Sequence, residues 1–200
     1  MGITNELFQT ERDETPNCQF DTVPNDVTKT DGTQPLDAIS AIERFAFFAR
    51  FLAAPMPSPD RPGGAESIGR GRNLFSSTGC ALCHTPTLTT GNAAVAALRN
   101  KAVDLFSDLL VHDMGPGLAD GITQGQAGPR EFRTAPLWGL GQRLFFLHDG
   151  RTSDLLEAIR AHKSGSVFTR DASEANAVIG NFNQLRENQK QDVLNFLRSL

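Results

Sequence analysis

Apolar residues recur at three- and four-residue steps in three stretches of this chain, and that spacing predicts amphipathic helices. The three stretches are Leu36 to Ala53, Thr152 to Lys163 and Glu187 to Leu200. A shorter helix is predicted from Ile68 to Ser76. Within the second stretch His162 falls on the face that the apolar residues share, so its imidazole is expected to point into the protein.

Two long segments lack such a pattern. Residues 1–34 are rich in Asp, Asn, Thr and Pro and hold few apolar residues, so they are predicted to form an extended arm. Residues 85–150 are interrupted throughout by Gly and Pro, and only a short apolar run from Val103 to Val111 predicts a strand or a turn. A loop of that length within a small domain usually serves a function.

The chemistry of the chain centres on the pentapeptide Cys80-Ala81-Leu82-Cys83-His84, shortly after the predicted short helix. This spacing is the attachment motif of c-type haem. The two thiols bond to the vinyl groups on one edge of the porphyrin, and the next residue then lies under the ring, where its imidazole can bind the iron. We therefore predict one covalent haem c, attached through Cys80 and Cys83 and bound by His84.

Two other uses of a Cys-x-x-Cys pair fit this sequence less well. A structural zinc site closes with a second pair of Cys or His at short spacing. The remaining candidates are instead scattered singly, at Cys18, His112, His148 and His162. A redox-active dithiol would need no histidine after its second cysteine. The chain also has 14 Phe and no Tyr, which predicts a largely non-polar aromatic core of the kind that keeps water from a haem.

Charge and hydropathy exclude two classes of partner. The formal net charge is −4 and no basic patch is present, so a nucleic-acid partner is not expected. No apolar run reaches membrane-spanning length. The first residues do not resemble a signal peptide, although bacteria attach haem to this motif after export, so the chain is expected to be a mature form or a fragment of a periplasmic protein. Cys18 would then be a free thiol or pair with a cysteine in a missing part.

The helix before the haem motif and the last helix are both amphipathic and are expected to pack together. That arrangement suits an all-α, cytochrome c-like domain with long loops. We assign residues 35–200 to this haem domain, preceded by the extended N-terminal arm at residues 1–34.

Segments spread over almost the whole chain carry a further resemblance. They are Met1–Asn5, Gly79–Thr87, Leu109–Gly115, Glu131–Leu140, Phe146–Arg151, Leu156–Ile159 and Phe196–Leu200. Together they resemble the C-terminal c-type haem domain of the di-haem oxidoreductase family, often called thiol oxidoreductases and related to bacterial di-haem cytochrome c peroxidases and the MauG enzymes. Members of that family carry an earlier domain with its own haem motif. The resemblance therefore implies a missing N-terminal haem domain as a partner, with residues 1–34 as the linker from it.

Two residues are candidates for the ligand on the far side of the iron. Met114 lies in a Gly/Pro loop, like the methionine ligand of many electron-transfer cytochromes, although it could equally fill a gap in the core. His162 could equally be an ordinary buried histidine. The resemblance favours His162, because the distal ligand of the related peroxidases lies fourteen positions after the histidine that corresponds to His148. Bis-histidine coordination is then expected, with Met114 and an open iron position as the alternatives.

Other side chains are candidates for contact with the haem periphery. Arg133, Arg143 and Trp138 can donate hydrogen bonds to a propionate, although each could instead be an ordinary surface or core residue. His148 is expected to orient a propionate or to stabilise its turn. His112 either contacts and supports an iron ligand or is a surface residue.

If protein ligands occupy both sides of the iron, peroxide and oxygen cannot bind it. Six-coordinate iron therefore favours one-electron transfer as the function. The expected electron partners are the missing haem domain and an external redox protein, and no residue of this chain is assigned a catalytic role. The intact protein would then be a di-haem, peroxidase-like oxidoreductase. The alternative is peroxidase-type catalysis at an open or labile sixth position, with His112 as the spare acid or base. A third interpretation is that the haem only stabilises a small core.

Overall fold

The computed structural model describes residues 41–58 and 60–200, which divide into two compact units between Ala54 and Pro55. The first unit contains helix α1 (Ala41–Phe51), inside the stretch predicted to be helical from Leu36 to Ala53. The predicted arm at residues 1–34, and with it the predicted domain boundary, lies outside the described residues. None of the helices in the described part of the chain is long and apolar enough to cross a membrane.

The second unit, as far as it is described, combines four α-helices with two small antiparallel sheets. In chain order its elements are α2 (Gly64–Thr78), β1 (Leu88–Thr89), β2 (Ala102–Val103), β3 (Val111–Asp113), β4 (Glu131–Arg133), α3 (Leu155–Ala161), α4 (Asn176–Gln184) and α5 (Glu187–Arg198). Strand β1 pairs with β2, and strand β3 pairs with β4. Single 3₁₀ turns occupy Cys80–Leu82, Ala96–Leu98 and Leu140–Gln142.

The prediction of an all-α fold is wrong, because the unit is mixed. Both sheets lie between residues 85 and 150, with Leu88 opposite Val103 in one and His112 opposite Phe132 in the other. Each strand has only two or three residues, too few for an alternating pattern to stand out in the sequence. In the apolar run from Val103 to Val111, which predicts a strand or a turn, Val103 ends β2 and Val111 begins β3. The residues between them are irregular.

The hydrophobic core lies where α2 packs against α5, and the expected contact between the helix before the haem motif and the last helix is confirmed. Three buried rings, Phe75, Phe106 and Phe196, pack edge to face with centroids 5.4 to 6.2 Å apart. Phe182 of α4 is fully buried in the same cluster. Five phenylalanines thus contribute to the buried aromatic core, whereas six others in the described residues are exposed.

A buried polar network also joins α2 to α5. The Asp192 carboxylate accepts hydrogen bonds from Ser67 Oγ at 2.5 Å and from Arg70 Nε at 2.8 Å. Asn195 Nδ2 donates to the same Ser67 hydroxyl at 2.9 Å. Because these buried polar atoms are paired, the two helices meet without an uncompensated desolvation cost.

The two helices pack closely at Gly71, where a side chain would meet the backbone carbonyl of Asp192 and the Cβ of Phe196. We expect Gly71→Ala to destabilise the fold by about 1–3 kcal/mol or more, because the α5 backbone would have to move. The matched control is Gly69→Ala on the same helix, where an added Cβ has open space. That change should stabilise the protein by about 0.5–1 kcal/mol. Urea unfolding checks both, and equal stabilities for the two variants would contradict this packing.

His84 and His162 each follow the end of a helix. Gly79 ends α2 in the left-handed region, with φ 103°, and Cys80 follows at once. At the other histidine, Asp154 caps the start of α3 by accepting hydrogen bonds from the backbone N–H groups of Leu156 and Glu157. This short helix then ends at Ala161, directly before His162.

Candidate haem-binding site

The attachment motif forms a tight turn at the end of α2. Cys80 begins a 3₁₀ turn, and the His84 N–H donates to the Cys80 carbonyl at 3.0 Å. Both cysteines are free thiols and both are half-buried. The turn therefore presents two thiols and an imidazole from one short segment, as the spacing predicts.

The electrostatic surroundings of the two thiols differ from those of a reactive dithiol. Burial raises the pKa of Cys80. Burial also raises the pKa of Cys83, and the carboxylates of Asp108 and Glu174 raise it further. Redox-active cysteines sit in electropositive surroundings that lower the thiol pKa, so this site does not suit thiol–disulfide exchange.

His84 is held by a backbone carbonyl. Its Nδ1 donates to the Phe106 carbonyl oxygen at 3.1 Å, which leaves Nε2 as the nitrogen that can bind a metal. Phe106 adopts a left-handed backbone conformation with φ 55°, uncommon for a bulky residue. Burial lowers the pKa of His84 to about 4, so the imidazole is neutral and in the form that ligates metals.

His162 is oriented in the same way from the other side. Its Nδ1 donates to the Ala158 carbonyl oxygen at 2.8 Å, so its Nε2 is likewise the nitrogen that can bind a metal. Burial lowers its pKa, so this imidazole is also neutral. Its position at the end of α3, beside the buried residues Leu155 and Ala158, agrees with the apolar face predicted for it.

The structure brings the two imidazoles together. Their ring centroids are 6.5 Å apart and their planes are tilted by 59°. An imidazole bound through nitrogen places its centroid about 3 Å from the metal, so two on opposite sides of one ion lie about 6 Å apart. The separation of the two ring centroids therefore agrees with the predicted placement of His84 and His162 on one iron.

The described hydrogen bonds of Met114, the alternative ligand, are made by its backbone. Its carbonyl accepts a hydrogen bond from Ser164 Oγ at 2.9 Å, and its N–H donates to the Arg130 carbonyl at 2.8 Å. These bonds place the loop of Met114 against the turn that follows His162. Met114 as the alternative ligand stays a prediction.

The residues predicted to contact the haem propionates have no described contact with His84 or His162. The His148 ring stacks on Phe132 with centroids 4.4 Å apart, which supports its turn. Arg133 is exposed, Trp138 is half-buried, and the Arg143 guanidinium donates to the Pro136 carbonyl at 3.3 Å. Among the described residues no hydrogen bond or ring contact joins them to the histidine pair, so their propionate roles stay predictions.

His112 occupies a network that sequence reasoning missed. Its Nδ1 lies 2.8 Å from Glu174 Oε2, and its Nε2 lies 3.0 Å from Asp108 Oδ2. Cys83 Sγ is 4.0 Å from Nδ1 of the same ring. Cys83, Asp108 and His112 could together face a metal ion, but both ring nitrogens already hold carboxylates. His112 is therefore a link between two acids beside the attachment motif.

The charge state of this network makes stability depend on pH. Burial would lower the pKa of His112, but the hydrogen bonds to Glu174 and Asp108 outweigh it and raise that pKa above 6.5. The hydrogen bond from His112 likewise lowers the pKa of Glu174 below 4.5. The stabilisation from His112 is complete below pH 6.5 and is lost as the pH rises through its raised value, whereas that from Glu174 is present above pH 4.5 and is lost in acid.

We expect the free energy of unfolding to fall more between pH 6 and pH 9 in the wild type than in His112→Phe, which has no imidazole to deprotonate. Urea unfolding of both proteins at the two pH values measures this difference. Parallel pH profiles for the two proteins would show that His112 is not held as a cation.

Comparison with known proteins adds one family match. The family model described as "Di-haem oxidoreductase, putative peroxidase" matches residues 1–200. No curated protein matches the chain. Among solved structures, a hydrazine synthase from Kuenenia stuttgartiensis is similar at 21% identity and a TM-score of 0.49, over 82% of this chain and 56% of that chain. The matched region thus spans little more than half of the length of that chain.

Proposed function

The chain belongs to the di-haem oxidoreductase family, a group of peroxidase-like redox proteins with haem as cofactor, and from that premise we propose that this domain transfers single electrons through one covalent haem c. Cys80 and Cys83 would attach the haem, and His84 and His162 would bind the iron. The observation that carries this proposal is the 6.5 Å separation of the two neutral imidazoles. When bound, the haem supplies a one-electron couple between Fe(III) and Fe(II).

The backbone carbonyls and side chains around the two histidines would set the properties of that couple. The Phe106 and Ala158 carbonyls accept from the Nδ1–H groups, and such hydrogen bonds raise the basicity of a ligating imidazole and fix its orientation. Phe75 lies beside His84, with ring centroids 6.3 Å apart, and helps to exclude water. More basic ligands favour Fe(III), so a lower reduction potential is expected than for histidine–methionine ligation.

Closure on both sides supports electron transfer over catalysis in this domain. With an imidazole on each face, peroxide would have to displace a protein ligand before it could reach the iron. His112, the predicted spare acid or base, holds a carboxylate on each ring nitrogen and is not free to exchange protons with a peroxide. Both features favour a carrier of electrons.

The partners of the domain follow from the same proposal. The family is a di-haem family, whereas this sequence has a single Cys-x-x-Cys-His motif. We propose that the second haem is carried by another domain of the intact protein, which exchanges electrons with this one, and that an external redox protein completes the path. Attachment of haem c after export would place the protein in the periplasm.

A potentiometric titration of the haem-loaded protein tests this function. The absorbance should follow a reversible one-electron curve, and hydrogen peroxide or cyanide should leave the ferric spectrum unchanged. Rapid peroxide binding or turnover by this domain alone would instead support catalysis at an open sixth position. Failure to accept electrons from small mediators would support a purely structural haem.

A further inference from the structure

The segment that carries the proximal histidine is tied to the loop before β3. The Phe106 carbonyl accepts from His84 Nδ1, as described above. Two residues later, the Asp108 N–H donates to the Cys83 carbonyl at 2.8 Å. The carboxylate of Asp108 is therefore fixed next to the attachment motif, where it accepts from His112.

The segment that carries the distal histidine is tied in a similar way to the residues before α4. Ser173 Oγ donates to the His162 carbonyl at 2.6 Å, and the Ser173 N–H donates to the Ser164 carbonyl at 2.9 Å. Glu174 is the next residue, so its position is coupled to the turn that holds His162.

Glu174 is also locked to strand β3. Its N–H donates to the Asp113 carbonyl at 2.9 Å, and its Oε1 accepts from the Asp113 N–H at 2.9 Å. Its other oxygen, Oε2, accepts from His112 Nδ1. The His112 imidazole, only 17% exposed, thus connects the carboxylate beside Cys83 with the carboxylate beside Ser173.

We propose that Asp108, His112 and Glu174 form a brace that keeps His162 opposite His84 and so keeps the sixth iron position closed. The inference rests on the proposed bis-histidine function. The three are positioning residues, because they act on the two histidines through the Cys83 and Ser173 segments. Without the brace, the turn after His162 would move away more often, and an outside ligand could reach the iron.

Carbon monoxide binding to the ferrous, haem-loaded protein tests the brace from both ends. His112→Phe keeps a ring of similar size without its hydrogen bonds, and Glu174→Ala removes the distal carboxylate. Each should bind carbon monoxide at least about tenfold faster than the wild type, since each removes two hydrogen bonds to a carboxylate. The Ser164–Met114 bond and the β3–β4 pairing remain, so both variants are expected to fold. If either variant misfolds, Asp108→Asn is the milder substitution with which to test the same prediction.

Arg130→Gln is the matched control. It removes a 2.7 Å ion pair to Asp113 in the same hairpin but leaves the path between the two histidine segments intact. Its carbon monoxide kinetics should equal those of the wild type. Rates within about twofold of wild type in folded His112→Phe and Glu174→Ala, or an equal acceleration in Arg130→Gln, would overturn the brace.

The ferric spectrum of the wild type separates the two proposals. If the wild type gives a low-spin bis-histidine spectrum but the variants bind carbon monoxide at the wild-type rate, the brace is contradicted and the proposed function is not. A wild type without that spectrum would remove the proposed function, and the brace with it.

Discussion

Replacing His162 by Ala should convert the ferric haem from a low-spin to a predominantly high-spin state. The change removes the imidazole whose centroid lies 6.5 Å from that of His84, so water or no ligand would occupy the sixth position. The variant should then bind cyanide in the ferric state and carbon monoxide in the ferrous state, whereas the wild type is expected to bind neither readily. Its reduction potential should rise, because a strong donor to Fe(III) is lost. Visible absorption and electron paramagnetic resonance spectra measure these changes.

Adding free imidazole to His162→Ala tests whether the effect comes from loss of the ligand alone. Free imidazole should enter the space left in His162→Ala and restore the low-spin spectrum, which a general loss of structure would not allow. The control is His148→Ala, since the His148 ring stacks on Phe132 and has no described contact with His84 or His162. That variant should keep the wild-type spectrum. An unchanged low-spin spectrum in His162→Ala would show that His162 is not the ligand and would return Met114 to consideration.

Removing both thiols of the attachment motif should abolish covalent haem binding. Each thiol adds its S–H across a vinyl double bond, which forms one C–S and one C–H bond, so Cys80→Ala combined with Cys83→Ala leaves no attachment chemistry. Either single variant should retain haem through one thioether. Haem staining on a denaturing gel and the intact mass of the chain measure both results.

Cys18→Ala provides the control for these variants, because residue 18 is outside the motif. Its mass should correspond to the chain plus one haem, as in the wild type. Covalent haem in the double Cys80 and Cys83 variant, or more than one haem per wild-type chain, would contradict the assignment.

The parts of the site that the sequence predicts depend on short-range spacing. The motif places two thiols and His84 within five residues, and a helical step places His162 on the buried side of its turn. Such features are fixed by neighbours along the chain and need no knowledge of the tertiary structure.

The parts that were missed depend on distant partners. The His112–Glu174 hydrogen bond joins residues 62 positions apart, and nothing local marks the pair. The two sheets escaped prediction because pairing between irregular segments creates their short strands. Helix α4 did leave a signal in the helical spacing of Val178, Ile179 and Phe182, although Gly180 inside a nine-residue helix weakens it.

The central claim is that His84 and His162 bind one haem iron from opposite sides. We would record the electron paramagnetic resonance spectrum of the ferric, haem-loaded protein together with its near-infrared absorption. The account predicts a low-spin bis-imidazole signature without a methionine-to-iron charge-transfer band. A methionine band would place Met114 on the iron and make the domain a carrier of higher potential, and a dominant high-spin signal would contradict closure of the site and favour catalysis in this domain.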